Sequence, residues 1–202
     1  MIYLPKRAVF IHIPRTGGNS ITSAIASTCA GRGVDVILGT GSYIKNYYRA
    51  SRHIIASDLK DFIEEWDDIY RFAIRRPLNE RIDSIIRVVE RDQKLKINED
   101  PTCGPLWKRI LEMKDYEEFM RNNWKSHTTE WFTKGKDGED LGVELIDFED
   151  LPDRWHEICE KCNIPQCVLP RLNFSVDYPE DLEFVRKEIL KESIASYIDR
   201  MV

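Results

Sequence analysis

The sequence predicts an α/β fold: a single-domain, three-layer arrangement with a mostly parallel central sheet flanked by helices. Three observations lead there. Short apolar, β-branched runs alternate with segments whose apolar residues recur every three to four positions. The chain has 202 residues, 42% of them hydrophobic, which suits one sizeable core, and residues 1–202 carry no internal repeat or low-complexity segment that would divide it. A glycine-bearing turn joins the first apolar run to the first helical segment, a strand–turn–helix unit of the kind whose helix N-terminus holds phosphates.

The run Ala8-Val9-Phe10-Ile11-His12-Ile13 stops at Pro14 and reads as a buried strand. After the turn at Thr16, Gly17 and Gly18, Asn19 or Ser20 can cap a helix carrying Ile21, Ala24 and Ile25 to about Thr28. Residues 34–38 form a candidate second strand and 39–42 a loop. Residues 53–56 read as a short strand, with Ser57 or Asp58 capping a helix through Phe62 and Trp66. Residues 69–74 form the second clear strand. Pro77 then suits a helix's first turn, and Ile82, Ile85, Ile86 and Val89 supply the helical spacing.

Residues 93–105 are polar with two prolines and read as a loop, followed by helices at 106–113 and 116–122. Residues 134–138 are a surface turn, 143–148 a third clear strand and 151–162 a helix. An amphipathic helix is expected over 179–201, from Leu182, Val185, Ile189, Ile194 and Ile198.

Charge narrows the function. Charged residues make up 32% of the chain and the formal net charge is -5, so nucleic acid is not an expected partner. Any anion must be held by a local site. No stretch approaches the ~18 apolar residues of a membrane span. Residues 1–7 lack the pattern of a secretory leader. Five cysteines, an odd number without secretory context, then suggest reduced thiols and a cytoplasmic location.

The segment Pro14-Arg15-Thr16-Gly17-Gly18-Asn19-Ser20 has the makings of an anion cradle. Its glycines permit close backbone approach, and successive N–H groups at a helix start face the ligand. Arg15 adds charge, and Thr16 and Ser20 add hydroxyls. The plainer alternative is a tight turn whose glycines serve geometry alone. A Walker A pattern is absent.

The residues from Phe10 to Ser20 resemble the 5′-phosphosulfate loop of the sulfotransferases, particularly the carbohydrate-type branch, whose loop commonly reads HxPKTGGTS. The resemblance implies a P-loop-NTPase-like sulfotransferase fold and the co-substrate 3′-phosphoadenosine 5′-phosphosulfate (PAPS). It assigns the 5′-phosphosulfate to Arg15, Thr16, Gly17, Gly18, Asn19 and Ser20. Two positions depart: Arg15 stands where lysine is usual and Asn19 where threonine is common. Arginine can stabilise charge on a departing phosphate but does not give up its proton.

The family's second motif is an arginine after a later strand, often another at +5, and a serine at +8. Arg76, Arg81 and Ser84 match that spacing, and Arg76 and Ser84 are then the expected 3′-phosphate ligands. Pro77 lies one residue after Arg76 where the family places it two after, which keeps Arg75 as the alternative ligand. A solvated basic helix start is the plainer reading. Residues 143–151 and Leu172-Asn173-Phe174-Ser175 are similar to later family segments, and the tail ending in Tyr197-Ile198-Asp199 matches its final helix loosely.

Transfer to a hydroxyl needs a base. His53, between the two motifs, is the first candidate and His127 the second; His12 is expected to pack or to orient the loop, and carboxylates such as Glu64 stay open. No metal is required. The spacing of His156, Cys159, Cys162 and Cys167 invites a zinc reading, set against buried thiols in a core helix. The resemblance favours a carbohydrate among hydroxyl acceptors; Trp107, Trp124 and Trp131 can stack on a sugar or fill a core. A nucleotide-binding module without turnover is the rival. A kinase-like phosphoryl transferase, with Asp147 or Asp150 on a metal, is another. Nothing in the sequence speaks to oligomeric state.

Overall fold

The first strand is one that the hydrophobic pattern does not announce. The computed structural model describes residues 1–30, 32–38, 43–44, 48–49, 53–99, 103 and 105–171. In it β1 (Ile2–Leu4) turns back at residues 5–7 and pairs antiparallel with β2 (Ala8–Ile11), Ile2 opposite Phe10. The chain continues through α1 (Gly18–Cys29) to β3 (Ile37–Leu38), which lies antiparallel on the outer side of β1. Strands β4 (Tyr43–Ile44) and β5 (Tyr48–Arg49) form a separate antiparallel ribbon. Helix α2 (Ala56–Lys60) leads towards β6 (Tyr70–Arg75), parallel to β2 on its other side.

Helices α3 (Leu78–Lys94), α4 (Pro105–Glu112), α5 (Tyr116–Asn123) and α6 (Thr129–Thr133) then precede β7 (Glu144–Asp147), parallel to β6, and α7 (Leu151–Lys161). The strand order β3-β1-β2-β6-β7 makes a five-stranded mixed open sheet. The expected mostly parallel sheet is corrected here. Strand β1 inserts antiparallel between β3 and β2, so parallel pairing is confined to β2, β6 and β7.

Alternation along the strands divides the core between two faces. Ala8, Phe10, Phe72, Ile74 and Ile146 pack on one side with Ile21 and Ile25 of α1 and Trp155 and Ile158 of α7. Val9, Ile11 and Ala73 face the other way, against Ala56 and Leu59 of α2 and Phe132 of α6. The result is helix, sheet and helix in layers. Helices α3, α4 and α5 share a third cluster around Ile82, Val89, Ile110 and Met120.

Several boundaries move for identifiable reasons. Residues 53–56 are not a strand; Ile55 is extended and caps α2, which begins at Ala56. That helix stops at Lys60 instead of continuing to Trp66. Trp66 lies in a short 3-10 turn, where its indole N–H reaches the Leu141 carbonyl at 3.3 Å. Of residues 34–38 only Ile37–Leu38 is paired, and α3 runs to Lys94, into the expected loop. The Asn173 segment and the expected helix over 179–201 lie outside the described residues. No helix among the described residues is long and apolar enough to cross a membrane.

Candidate functional site

Strands β2, β6 and β7 end side by side, with Ile11 opposite Ala73 and Arg75 opposite Asp147. Ligands of open α/β sheets bind outside such carboxyl ends. Here a cavity of about 1340 Å3 is lined by residues that directly follow all three strands: His12 and Arg15 after β2, Arg76 after β6, and Phe148 and Glu149 after β7.

The loop after β2 is shaped for close approach. Gly17 has φ +77° and is the N-cap of α1, its carbonyl taking the N–H groups of Ser20 and Ile21. The expected capping by Asn19 or Ser20 is thereby corrected: the helix starts at Gly18, and both residues sit in its first turn, lining the cavity. No acidic residue occupies that turn, so the positive end of the helix dipole is not offset by its own side chains. Gly18 abuts His12, to whose ring atoms a Cβ would come within 2.0 Å. Thr16, expected to contact the ligand, is fully buried and does not line the cavity. Its hydroxyl donates to the Ile13 carbonyl at 2.8 Å, so it ties the loop to the strand end.

Arg15 has φ +66°, the left-handed region that L-residues with side chains adopt at a cost and that clusters at functional sites. Its Nε and Nη2 donate to the Ser84 hydroxyl at 3.1 and 2.9 Å. The two sequence motifs, 69 positions apart, therefore meet across one cavity. A hydroxyl accepts two hydrogen bonds and donates one, so Ser84 keeps its own O–H as a donor. Desolvation, and then the positive charges of Arg91, Arg76 and Arg87, push the Arg15 pKa down, with Asp92 acting the other way. Crowded guanidinium groups beside a helix N-terminus attract an anion.

Arg76 lines the same cavity, its guanidinium 4.8 Å above the Phe148 ring and 3.0 Å from Glu80. Arg75, the alternative ligand, lies outside the main cavity. It holds Asp147 in a two-point ion pair at 2.6 and 2.7 Å, which raises its pKa and lowers that of Asp147. Both side chains are about half exposed, so Arg75→Ala is expected to change unfolding free energy by no more than ~1 kcal/mol in urea denaturation.

Arg81 also departs from its expected role as a ligand residue: it does not line the cavity and is fully buried. Its Nε donates to the Pro14 carbonyl at 2.9 Å and its Nη1 to the His127 carbonyl at 2.8 Å. The rings of Trp124 and Phe132 lie 5.9 and 5.7 Å away. Among the described residues it has no carboxylate partner, and Nη2 has no hydrogen-bond partner. Burial pushes its pKa down to about 10. Arg81 is a strut between the loop after β2 and the segment carrying His127.

Both candidate bases face the cavity. His53 Nδ1 lies 2.8 Å from the His12 carbonyl. A carbonyl only accepts, so Nδ1 carries the proton and Nε2 is the basic nitrogen of the neutral ring. The His12 ring meets the His53 ring edge-on at 4.6 Å and lines the cavity itself, a position its place in an apolar run concealed. His127 stands 5.7 Å from Trp124 and 5.3 Å from Trp131, and its buried Nδ1 has no hydrogen-bond partner among the described residues. Glu64 is exposed and off the cavity. Trp124 and Trp131 line it, whereas Trp107 donates to Asp92 at 3.1 Å within the third cluster.

The opposite wall, from Trp155 to residues 167–171, carries no motif and escaped sequence reasoning. Of the zinc pattern, Cys159 and Cys162 are buried whereas His156 is exposed, 3.5 Å from Glu160. Among the described residues no group of three histidines, cysteines or carboxylates is placed to hold a metal ion. No family model matches the chain, and neither a curated protein nor a solved structure matches it.

Proposed function

We propose that the cavity binds PAPS and that the protein transfers its sulfuryl group to a hydroxyl acceptor, a carbohydrate being favoured. One observation carries the reading. The Arg15–Ser84 hydrogen bonds join the segment that resembles a 5′-phosphosulfate loop to the segment that resembles a 3′-phosphate site. A nucleotide phosphorylated at both positions needs two anion contacts across one nucleoside, and this wall offers both. Single-ligand sites reach ~1,000 Å3; a cavity of about 1340 Å3 has room for donor and acceptor together.

PAPS supplies an activated sulfuryl group. The rest falls to the chain. The backbone of residues 17–20 and Arg15 hold the 5′ end, and Arg76 with the Ser84 hydroxyl holds the 3′-phosphate. Arg15 steadies charge on the departing phosphate without giving up a proton. His53 takes the acceptor's proton at Nε2, its orientation set by the His12 carbonyl. Trp124, Trp131 and Phe132 screen the reacting groups from water.

Calorimetric titration with 3′-phosphoadenosine 5′-phosphate, against AMP and ATP, tests the reading. Binding is expected to require the 3′-phosphate. Arg76→Ala is expected to weaken it roughly 10- to 100-fold, the loss of a charge-assisted contact of ~1.5–3 kcal/mol. No binding, or preference for ATP with Mg2+, would sink the proposal. The commitment of Asp147 to Arg75 counts against a kinase-like site. A second reading, a nucleotide-binding module without turnover, draws on the engagement of two Arg15 nitrogens by Ser84. Nucleotide binding without sulfuryl transfer to any screened acceptor would select it.

A further inference from the structure

We propose that Cys159 and Cys167 are a redox-sensitive thiol pair whose oxidation to a disulfide remodels one wall of the cavity. Their sulfurs lie 4.0 Å apart. Cys159 is fixed on α7 within the core, while Cys167 is partly exposed and lines the cavity. Cys29 and Cys162 are sealed in the core, and Cys103 belongs to the third cluster.

The two thiols differ in what surrounds them. Cys167 lies beyond the end of α7, in a stretch without regular secondary structure. Trp155 Nε1 donates to its carbonyl at 2.8 Å, and the residues after it continue the cavity wall through Leu169 and Arg171. A disulfide bond is ~2 Å long. Since Cys159 is held by the helix and its core contacts, closing the gap falls to Cys167, and the wall moves with it. Cys167 is the thiol that reaches the cavity whereas Cys159 is buried, so Cys167 meets the oxidant first; burial, and then the neighbouring Cys167, also push the Cys159 thiol up.

The oxidant class is a small disulfide such as oxidised glutathione. The Cys167 thiolate attacks one of its sulfurs, breaking the S–S bond, forming a mixed disulfide and releasing one glutathione. The Cys159 thiolate then attacks the Cys167 sulfur and releases the second. Two protein thiols lose two electrons, one glutathione disulfide gains them, and the two thiol protons end on the two glutathiones.

The coupling to nucleotide rests on the function proposed above; the disulfide does not. The test treats the full chain with oxidised glutathione and maps cross-linked peptides by mass spectrometry. A Cys159–Cys167 link, reversed by dithiothreitol, is expected, together with slower tryptic cleavage after Arg171 because the wall is tethered. The affinity for 3′-phosphoadenosine 5′-phosphate is expected to change at least about fivefold. Cys167→Ser, a change outside the sealed core, is expected to abolish all three responses. If nucleotide fails to bind in either redox state, the functional reading falls while the link and the cleavage rate still decide this one. No link, a link to Cys162 or Cys29, or a correct link that alters neither cleavage nor affinity overturns it.

Discussion

Arg81→Leu is expected to lower the unfolding free energy by ~2 kcal/mol and to weaken nucleotide binding, although the side chain stands behind the cavity's lining and not in it. Three magnitudes compete. The native guanidinium donates to two part-buried carbonyls, of Pro14 and His127, each charge-assisted bond contributing ~1.5–3 kcal/mol. Its burial opposes this: desolvation pushes the Arg81 pKa down to about 10, a cost of roughly 3 kcal/mol against the charge. Leucine relieves that cost but leaves both carbonyls without a donor, at ~1–3 kcal/mol each, and a gap between Trp124 and Phe132. The orphaned carbonyls win. Urea denaturation reads the stability, and calorimetry the binding, which falls because the loop carrying Arg15 loses its strut. Arg81→Lys keeps the charge without the fork and should fall between the two. Unchanged stability in Arg81→Leu would mean the strut carries nothing.

The case of Arg81 also marks where the sequence stopped being legible. Its spacing from Arg76 and Ser84 matched a ligand pattern, yet the side chain is buried behind the loop while Ser84 faces the cavity. Residues three apart on α3 are neighbours, but only the loop and α6 around them decide which one faces the cavity. Arg75 lies off the main cavity for a similar reason. It falls on β6 in register with Asp147 of β7, and pairing between strands some 70 positions apart leaves no local trace.

The elements that were legible are those with room for a pattern. Strands β2 and β6, and helices α1, α3 and α7, are long or apolar enough for their period to show, and their bounds shift by few residues. Strand β1 has three residues and α6 has five. Neither length distinguishes a period of two from one of 3.6. That omission mattered, because β1 is what makes the sheet mixed. The turn after β2 was readable for the opposite reason: two glycines at a strand–helix junction mark a tight turn, and Gly17 caps α1 there at φ +77°. The facing wall is built of Phe148, Trp155 and Leu169, residue types that signal only packing until the fold turns them towards a cleft.

The sharpest test of the anion loop is Gly18→Ala, expected to weaken nucleotide binding by more than about 100-fold and to lower stability by ~1–3 kcal/mol. A Cβ there would lie 2.0 Å from two atoms of the His12 ring, far inside contact distance. His12 has little room to retreat, being 4% exposed and flanked by the Phe10 and His53 rings at 5.6 and 4.6 Å. Either the ring swings into the cavity, losing its edge-on contact with the His53 ring, or the first turn of α1 shifts and its N–H groups leave the anion. Gly33→Ala separates this from a generic cost of losing a glycine. Gly33 has φ +67°, and among the described residues nothing lies within 4 Å of where its methyl group would stand. The substitution should therefore lose only the ~1–2 kcal/mol of left-handed strain and bind nucleotide as before. Should Gly18→Ala bind as tightly as Gly33→Ala, the close approach of loop to ligand would be wrong, and the anion would have to sit elsewhere along the Arg76 wall.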